Sequence, residues 1–214
     1  MPVVDLGRSA VFFDYDGVLT TDRTGSLTTC RHLSSRTGIE LNVLANVLHS
    51  FNADLSVGKR THAEIWPEVC GMLGQRVPLE LLAEAFDSTP ENAPMFALAK
   101  ELRRSCIVGI ITDNKKDRMD RLRKAQRLDE LFSPIVVSAE VGCTKEDAQI
   151  FEAALARSGL AASSCLFIDN SRANLLRPRA LGMHTIHFDD ESNDVAGLRR
   201  RLTEVYGLLV EAEA

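Results

Sequence analysis

The sequence predicts an α/β domain, a parallel sheet with helices on both faces, interrupted after its first strand by an all-helical insertion. Three observations predict it. From residue 106 onward short apolar runs alternate with charged, helix-like stretches, which implies right-handed crossovers and a parallel sheet. The runs are almost continuously apolar, as strands covered on both faces should be. Between about residues 21 and 90 that rhythm is absent, and apolar residues recur at helical spacing instead.

The first strand is read at Val11 to Phe13, where an apolar run ends on Asp14, Tyr15, Asp16 and Gly17. CIVGIIT is the next, followed by the helix-like NKKDRMDRLRKAQRL. PIVVS precedes KEDAQIFEAALARSG, CLFID precedes RANLLRPRALG, and MHTIHF precedes a last helix through LRRRLTEVYGLL. In the insertion, Leu41, Leu44, Val47, Leu48 and Phe51 share one helical stripe. Ile65, Val69 and Leu73 share a second, with Trp66 beside them, and Leu79, Leu82 and Phe86 a third. Gly25, Gly58, Gly74, Pro78, Pro90 and Pro94 mark the joints. The division assigns residues 1–20 and 91–214 to the core and 21–90 to the insertion. The insertion leaves the core just past the two aspartates, at a strand's carboxyl end, where open parallel sheets bind ligands. It is therefore placed to cover a site.

The 214 residues suit a core domain carrying an insertion, and 45% apolar content is enough for a real core. A net charge of −5 is an ordinary balance and argues against general nucleic-acid affinity. Arg199, Arg200 and Arg201 read as a solvated helix face. The odd count of five scattered cysteines, without Cys-x-x-Cys, suggests neither a disulfide framework nor a zinc site. The start, MPVVDLGRSA, lacks a signal-peptide layout, and no apolar stretch approaches a membrane span. The expectation is a reduced, cytoplasmic compartment with no membrane contact; the pattern assigns no oligomeric state.

The strand ends carry the chemistry. Residues i and i+2 of an extended segment point the same way, so Asp14 and Asp16 project near one strand end. Two carboxylates that close need a proton or a cation between them, although a plain strand-to-loop turn also favours Asp and Gly. Thr112, Asp113 and Asn114 follow the second strand, where a hydroxyl and helix N-terminal N–H groups suit an anion, or where Thr112 or Asn114 caps the helix. Lys145 precedes a helix start, against the macrodipole, unless it simply turns to solvent. Asp169 and Asn170 end CLFID, with Ser171 or Asn174 as the alternative helix caps.

This set resembles the haloacid dehalogenase-like hydrolase superfamily, in the order of its four motifs. DYDGVLTTD resembles the first, IITDN the second, GCTKEDAQIFEAAL the third and FIDNSRANLLRPRALGMHTIHF the fourth. The resemblance covers nearly the whole chain. It implies a Rossmann-like core with a helical cap inserted after the first motif. It implies Asp14 as nucleophile, Asp16 as acid/base and Lys145 as the neutralising cation. Thr112 and Asp113 would bind phosphate, and Mg²⁺ would be held by Asp14, the backbone carbonyl of Asp16, and Asp169 and Asn170. Dehalogenases of this family usually lack the second aspartate, because halide leaves without a proton; Asp16 therefore favours phosphoryl transfer. The expected partner is a small phosphorylated metabolite, and the fourth stretch is especially like sugar-phosphate phosphatases. Two departures stand out: Lys145-Glu146 where Lys-Pro is common, and Asn170 where a second acid is common. Asn170 favours a rival, a phospho-ligand-binding protein without turnover; phosphotransfer to another acceptor, such as mutase chemistry, is a third reading. Lys59 and Arg60 are candidate substrate contacts, and His32, His49, His62, His184 and His187 read as structural or surface residues.

Overall fold

Val11, Phe12 and Phe13 are fully buried in β1 (Ala10–Phe13), the central strand of a five-stranded sheet in the computed structural model, which describes residues 8–209. The start read for targeting, and the outermost residues assigned to the core at either end, lie outside the described range. After β1 come α1 (Gly25–Thr37), α2 (Leu41–His49), α3 (Asn52–Ser56), α4 (His62–Leu73), α5 (Glu80–Asp87) and α6 (Ala93–Leu102). Then follow β2 (Ile107–Thr112), α7 (Lys116–Ala125), α8 (Leu128–Leu131), β3 (Ile135–Val137), α9 (Ser138–Val141) and α10 (Gln149–Ser158). The chain closes with β4 (Cys165–Asp169), α11 (Leu176–Ala180), β5 (His184–His187) and α12 (Val195–Tyr206). The strand order is β3-β2-β1-β4-β5, with every pairing parallel.

Alternation along each strand feeds two apolar layers. Val11, Phe13, Val108, Ile110, Leu166 and Ile168 pack with Leu98 of α6, Met119 and Leu122 of α7, and Leu198 and Leu202 of α12. Ala10, Phe12, Ile111, Val136 and Phe167 pack on the other face with Ile150, Phe151 and Ala154 of α10. The inserted helices build a separate cluster around Leu33, Leu44, Leu55, Ile65, Trp66, Val69, Leu82 and Phe86. Its elements agree with the apolar stripes, and Trp66 Nε1 donates to the Val77 carbonyl at 2.7 Å, which satisfies its buried N–H. α1 and α6 went beyond those stripes: α1 has a polar, serine- and threonine-rich sequence whose apolar face is only Cys30 and Leu33. The insertion is tied to the core by a pair of linkers, bridged antiparallel at Thr20 and Glu91, with Asn92 donating to the Val18 carbonyl at 3.0 Å. Among the described residues no helix is long and apolar enough to cross a membrane, and the five cysteines are free thiols.

The crossovers from β1 run through β2 to β3 on one side, and β4 and β5 lie on the other. The switch point is thus between β1 and β4, whose carboxyl ends present Asp14 and Asp169.

Candidate active site

Asp14 leaves β1 with its backbone N–H donating to the Ile168 carbonyl of β4 at 2.9 Å, which fixes its position at the switch point. Asp16 stays extended (φ −74, ψ 130), and Gly17 turns left-handed at φ +78. A Cβ on Gly17 would come within 2.2 Å of the Asn170 amide nitrogen, so the bare glycine brings the first and fourth strand ends together.

Lys145 is the centre of charge. Its Nζ lies 2.8 Å from Asp14 Oδ2 and 2.7 Å from Asp169 Oδ2, and only 2% of the residue is exposed. It does not start a helix as the sequence reading expected. α10 begins at Gln149, and Lys145 sits in a turn anchored by its backbone N–H donating to Asp113 Oδ1 at 2.9 Å. The conflict with the helix dipole is therefore avoided, and the lysine turns inward rather than to solvent. Burial works against its charge, but Asp14 and then Asp169 and Asp113 outweigh it and hold the ammonium above the usual lysine range. Burial raises the Asp14 carboxyl, with Lys145 opposing and Asp169 reinforcing. Burial likewise raises Asp113, against Lys145.

Asp169 is fully buried, and its oxygens are engaged by Lys145, by the Ser171 N–H at 2.6 Å and by Asn174 Nδ2 at 3.2 and 3.1 Å. It lies beneath the cavity rather than on its wall, and the Ser171 and Asn174 side of the loop serves Asp169 instead of capping a regular helix.

Asp16 turns the other way. Arg118 grips it with two bonds of 2.8 Å, and Asn114 Nδ2 donates to it at 3.0 Å. Arg118 is 3% exposed, so its charge is almost wholly committed to this pair. Neither Arg118 nor Asn114's bond to Asp16 was foreseen from the sequence. The only signal was their i, i+4 spacing, and the partner lies about a hundred residues away.

These groups face one cavity of about 960 Å³ between the sheet's carboxyl edge and the inserted helices. Asp14, Asp16, Thr112, Asp113, Lys145 and Asn170 line it from the core; Leu48, Leu55 and Phe86 line it from the insertion. Lys59 and Arg60 are not among its lining residues; Lys59 is exposed, and Arg60 pairs with Glu68 at 2.5 Å. His49, His62 and His187 do line it. His62 is also structural, its ring Nδ1 lying 2.8 Å from Asp117 Oδ1 on α7.

The doubly covered parallel sheet and its switch-point cavity define the class: an α/β protein with a cavity at the carboxyl ends of β1 and β4. Residues 9–200 match the haloacid dehalogenase-like hydrolase family, and the chain belongs to it. It is 26% identical to phosphatase MT3486 of Mycobacterium tuberculosis, over 94% of this chain and 96% of that protein. It is 27% identical to the sesquiterpene phosphatase astK of Aspergillus oryzae, over 64% of this chain and 74% of that one. The Bacteroides thetaiotaomicron HAD family enzyme bt-2542, solved as a magnesium complex, has the same fold, with a TM-score of 0.71 at 20% identity over 91% of this chain and 99% of that chain.

Proposed function

We propose that this protein is a Mg²⁺-dependent phosphatase that hydrolyses a small phosphorylated metabolite through an aspartyl-phosphate on Asp14, with residues 21–90 as its cap. One observation carries the reading: Asp14 stands on the cavity floor at the switch point with Lys145 Nζ 2.8 Å away. The names of the two phosphatase relatives support it.

An anionic nucleophile and an anionic phosphate repel, so attack needs positive charge beside both. Lys145 supplies one charge, and Asp169 and Asp113 hold it in place. Mg²⁺ fits the rest of the set. Among the described residues no three His, Cys, Asp or Glu side chains converge as a metal cluster. The donors here are instead the Asp14 carboxylate, the Asp16 carbonyl and the Asn170 amide oxygen, hard oxygens in the small number that suits an ion keeping several waters. The bound magnesium of the Bacteroides enzyme supports the same choice. When bound, the ion would neutralise phosphoryl oxygens and orient an in-line displacement.

Asp14 forms the new bond to phosphorus as the bond from phosphorus to the leaving oxygen breaks. Asp16 gives that oxygen a proton, then takes one from the water that cleaves the aspartyl-phosphate. It does so after its pair with Arg118 loosens, because every partner it has here is a donor. Thr112 and the backbone at Asp113 hold phosphoryl oxygens, and the cap excludes bulk water.

The binding-only reading is favoured by Asn170 and by the Arg118–Asp16 pair. One assay separates the two. The native protein should release p-nitrophenol from p-nitrophenyl phosphate with Mg²⁺ and stop with a chelator. Asp14→Asn should abolish turnover while its circular dichroism stays native. Turnover at native rates in Asp14→Asn rules Asp14 out as nucleophile; a folded native protein without Mg²⁺-dependent turnover leaves binding alone.

A further inference from the structure

Each cation on the catalytic floor already has an acid. Lys145 is shared by Asp14 and Asp169, and Arg118 is taken up by both oxygens of Asp16. At the rim Arg23 is 66% exposed and lies 3.7 Å from Glu191, and Arg172 is exposed to solvent, without an acid partner among the described residues. Lys115 is different. It lines the cavity, is half-buried, and its ammonium makes no ion pair and no hydrogen bond among the described residues. Its backbone N–H donates to Asn114 Oδ1 at 3.0 Å, which plants it at the start of α7, three residues before Arg118. Burial, and after it the neighbouring Arg118 charge, holds the Lys115 ammonium below the usual lysine range. Asp16, Asp113 and Asp117 pull the other way, but none of them pairs with this half-buried ammonium, so an anion that enters the cavity meets it free.

We propose that Lys115 is a second anion subsite, and that the substrate is a phosphate ester whose leaving group carries its own carboxylate or phosphate. This rests on the phosphatase reading for placing the transferred phosphoryl group at Asp14. Asp14 and Lys115 follow neighbouring strands β1 and β2, so a short substrate spans from one to the other inside the same cavity. The second anion balances Lys115, while the leaving group's carbon frame meets Leu48, Leu55 and Phe86 above. Selectivity follows from charge: a substrate lacking the second anion leaves Lys115 uncompensated.

The test uses matched pairs that differ in one anionic group: 3-phosphoglycerate against glycerol 3-phosphate, and phosphoglycolate against ethyl phosphate. Binding is measured by calorimetry with Mg²⁺ in the Asp14→Asn protein, where turnover does not interfere. The more anionic partner of at least one pair should bind about tenfold tighter, as expected for one half-buried ion pair. Adding Lys115→Met should remove most of that contrast, and Lys115→Arg should keep it; melting curves establish that both variants are folded. No contrast in either pair, or an equal contrast in the folded Lys115→Met variant, overturns the subsite. Turnover of p-nitrophenyl phosphate by the native protein is scored separately. Turnover without the contrast removes the subsite and leaves the phosphatase; the contrast without turnover removes the phosphatase and leaves an anion subsite.

Discussion

Asn170, which the sequence resemblance sets at a position where a second acid is common, borders the cavity against Gly17. With an amide there, the floor has one negative charge fewer to attract a hard dication. Asn170→Asp should therefore lower the Mg²⁺ concentration for half-maximal activity by about three- to tenfold at fixed pH and ionic strength. A titration left unmoved places Asn170 away from the metal. Asp169, the other residue the resemblance gives to the metal, also accepts from Lys145 and Asn174, so Asp169→Asn disturbs both donors besides removing a charge. The residues that were legible are those whose neighbours in sequence already set their placement. Asp14, Thr112 and Asp169 end apolar runs, and a strand end is visible in one line of sequence. Arg118 and Asn114 were not, because a charged helix shows only that it has a solvated face, and the partner arrives through tertiary folding. The same holds for Lys115: a lysine at a helix start is unremarkable until the insertion covers it.

Among the elements, α7 is the one that ties the cavity floor to the inserted helices. Its composition identified it as a helix, but its length was overestimated at both ends; the structure begins it at Lys116 and ends it at Ala125. Its first two turns carry Lys115 and Arg118 toward the cavity, and Asp117 and Arg121 toward the insertion. Asp117 accepts from the His62 backbone at 3.0 Å and faces the His62 ring, while Arg121 pairs with Asp87 of α5. These contacts latch α4 and α5 to the core. Burial tends to raise the Asp117 carboxyl, but the bonds from His62 win and hold it below the usual carboxylate range. A carboxyl lowered on folding stabilises the protein above its unfolded pKa, and that contribution fades as pH falls through the lowered value. Asp117→Asn should thus lower the melting temperature near neutral pH, by about 1 kcal/mol in stability once solvent screening is allowed for. The difference from the native protein should shrink as the pH is taken into the acid range. A difference that is constant with pH would place the effect in packing rather than in charge.

At the scale of the whole molecule, the chain builds separate apolar clusters for the core and for the inserted helices, joined by the paired linkers at Thr20 and Glu91. Their separation follows from the sequence pattern: the apolar stripes of the inserted helices face one another rather than the sheet. What the periodicity did not show is the cavity, since a cavity is where the two clusters fail to meet. Both sides supply its walls, the carboxylates and lysines from below and Leu48, Leu55 and Phe86 from above. A ligand that fills it bridges the two clusters and stabilises both by mass action, by about 2.7 kcal/mol at a hundred times its dissociation constant. If the protein is the phosphatase proposed above, orthovanadate with Mg²⁺ should occupy only the phosphoryl position. It should slow hydrogen exchange at the carboxyl ends of β1 and β4 and leave α2 and α5 little changed. Vanadate together with a short alcohol bearing a carboxylate extends across the cavity, and it should slow exchange in α2 and α5 as well. Protection of those two helices by vanadate alone would mean that the insertion closes on the phosphoryl group. Protection by neither combination would mean that it does not close over this cavity, and residues 21–90 would not act as a cap.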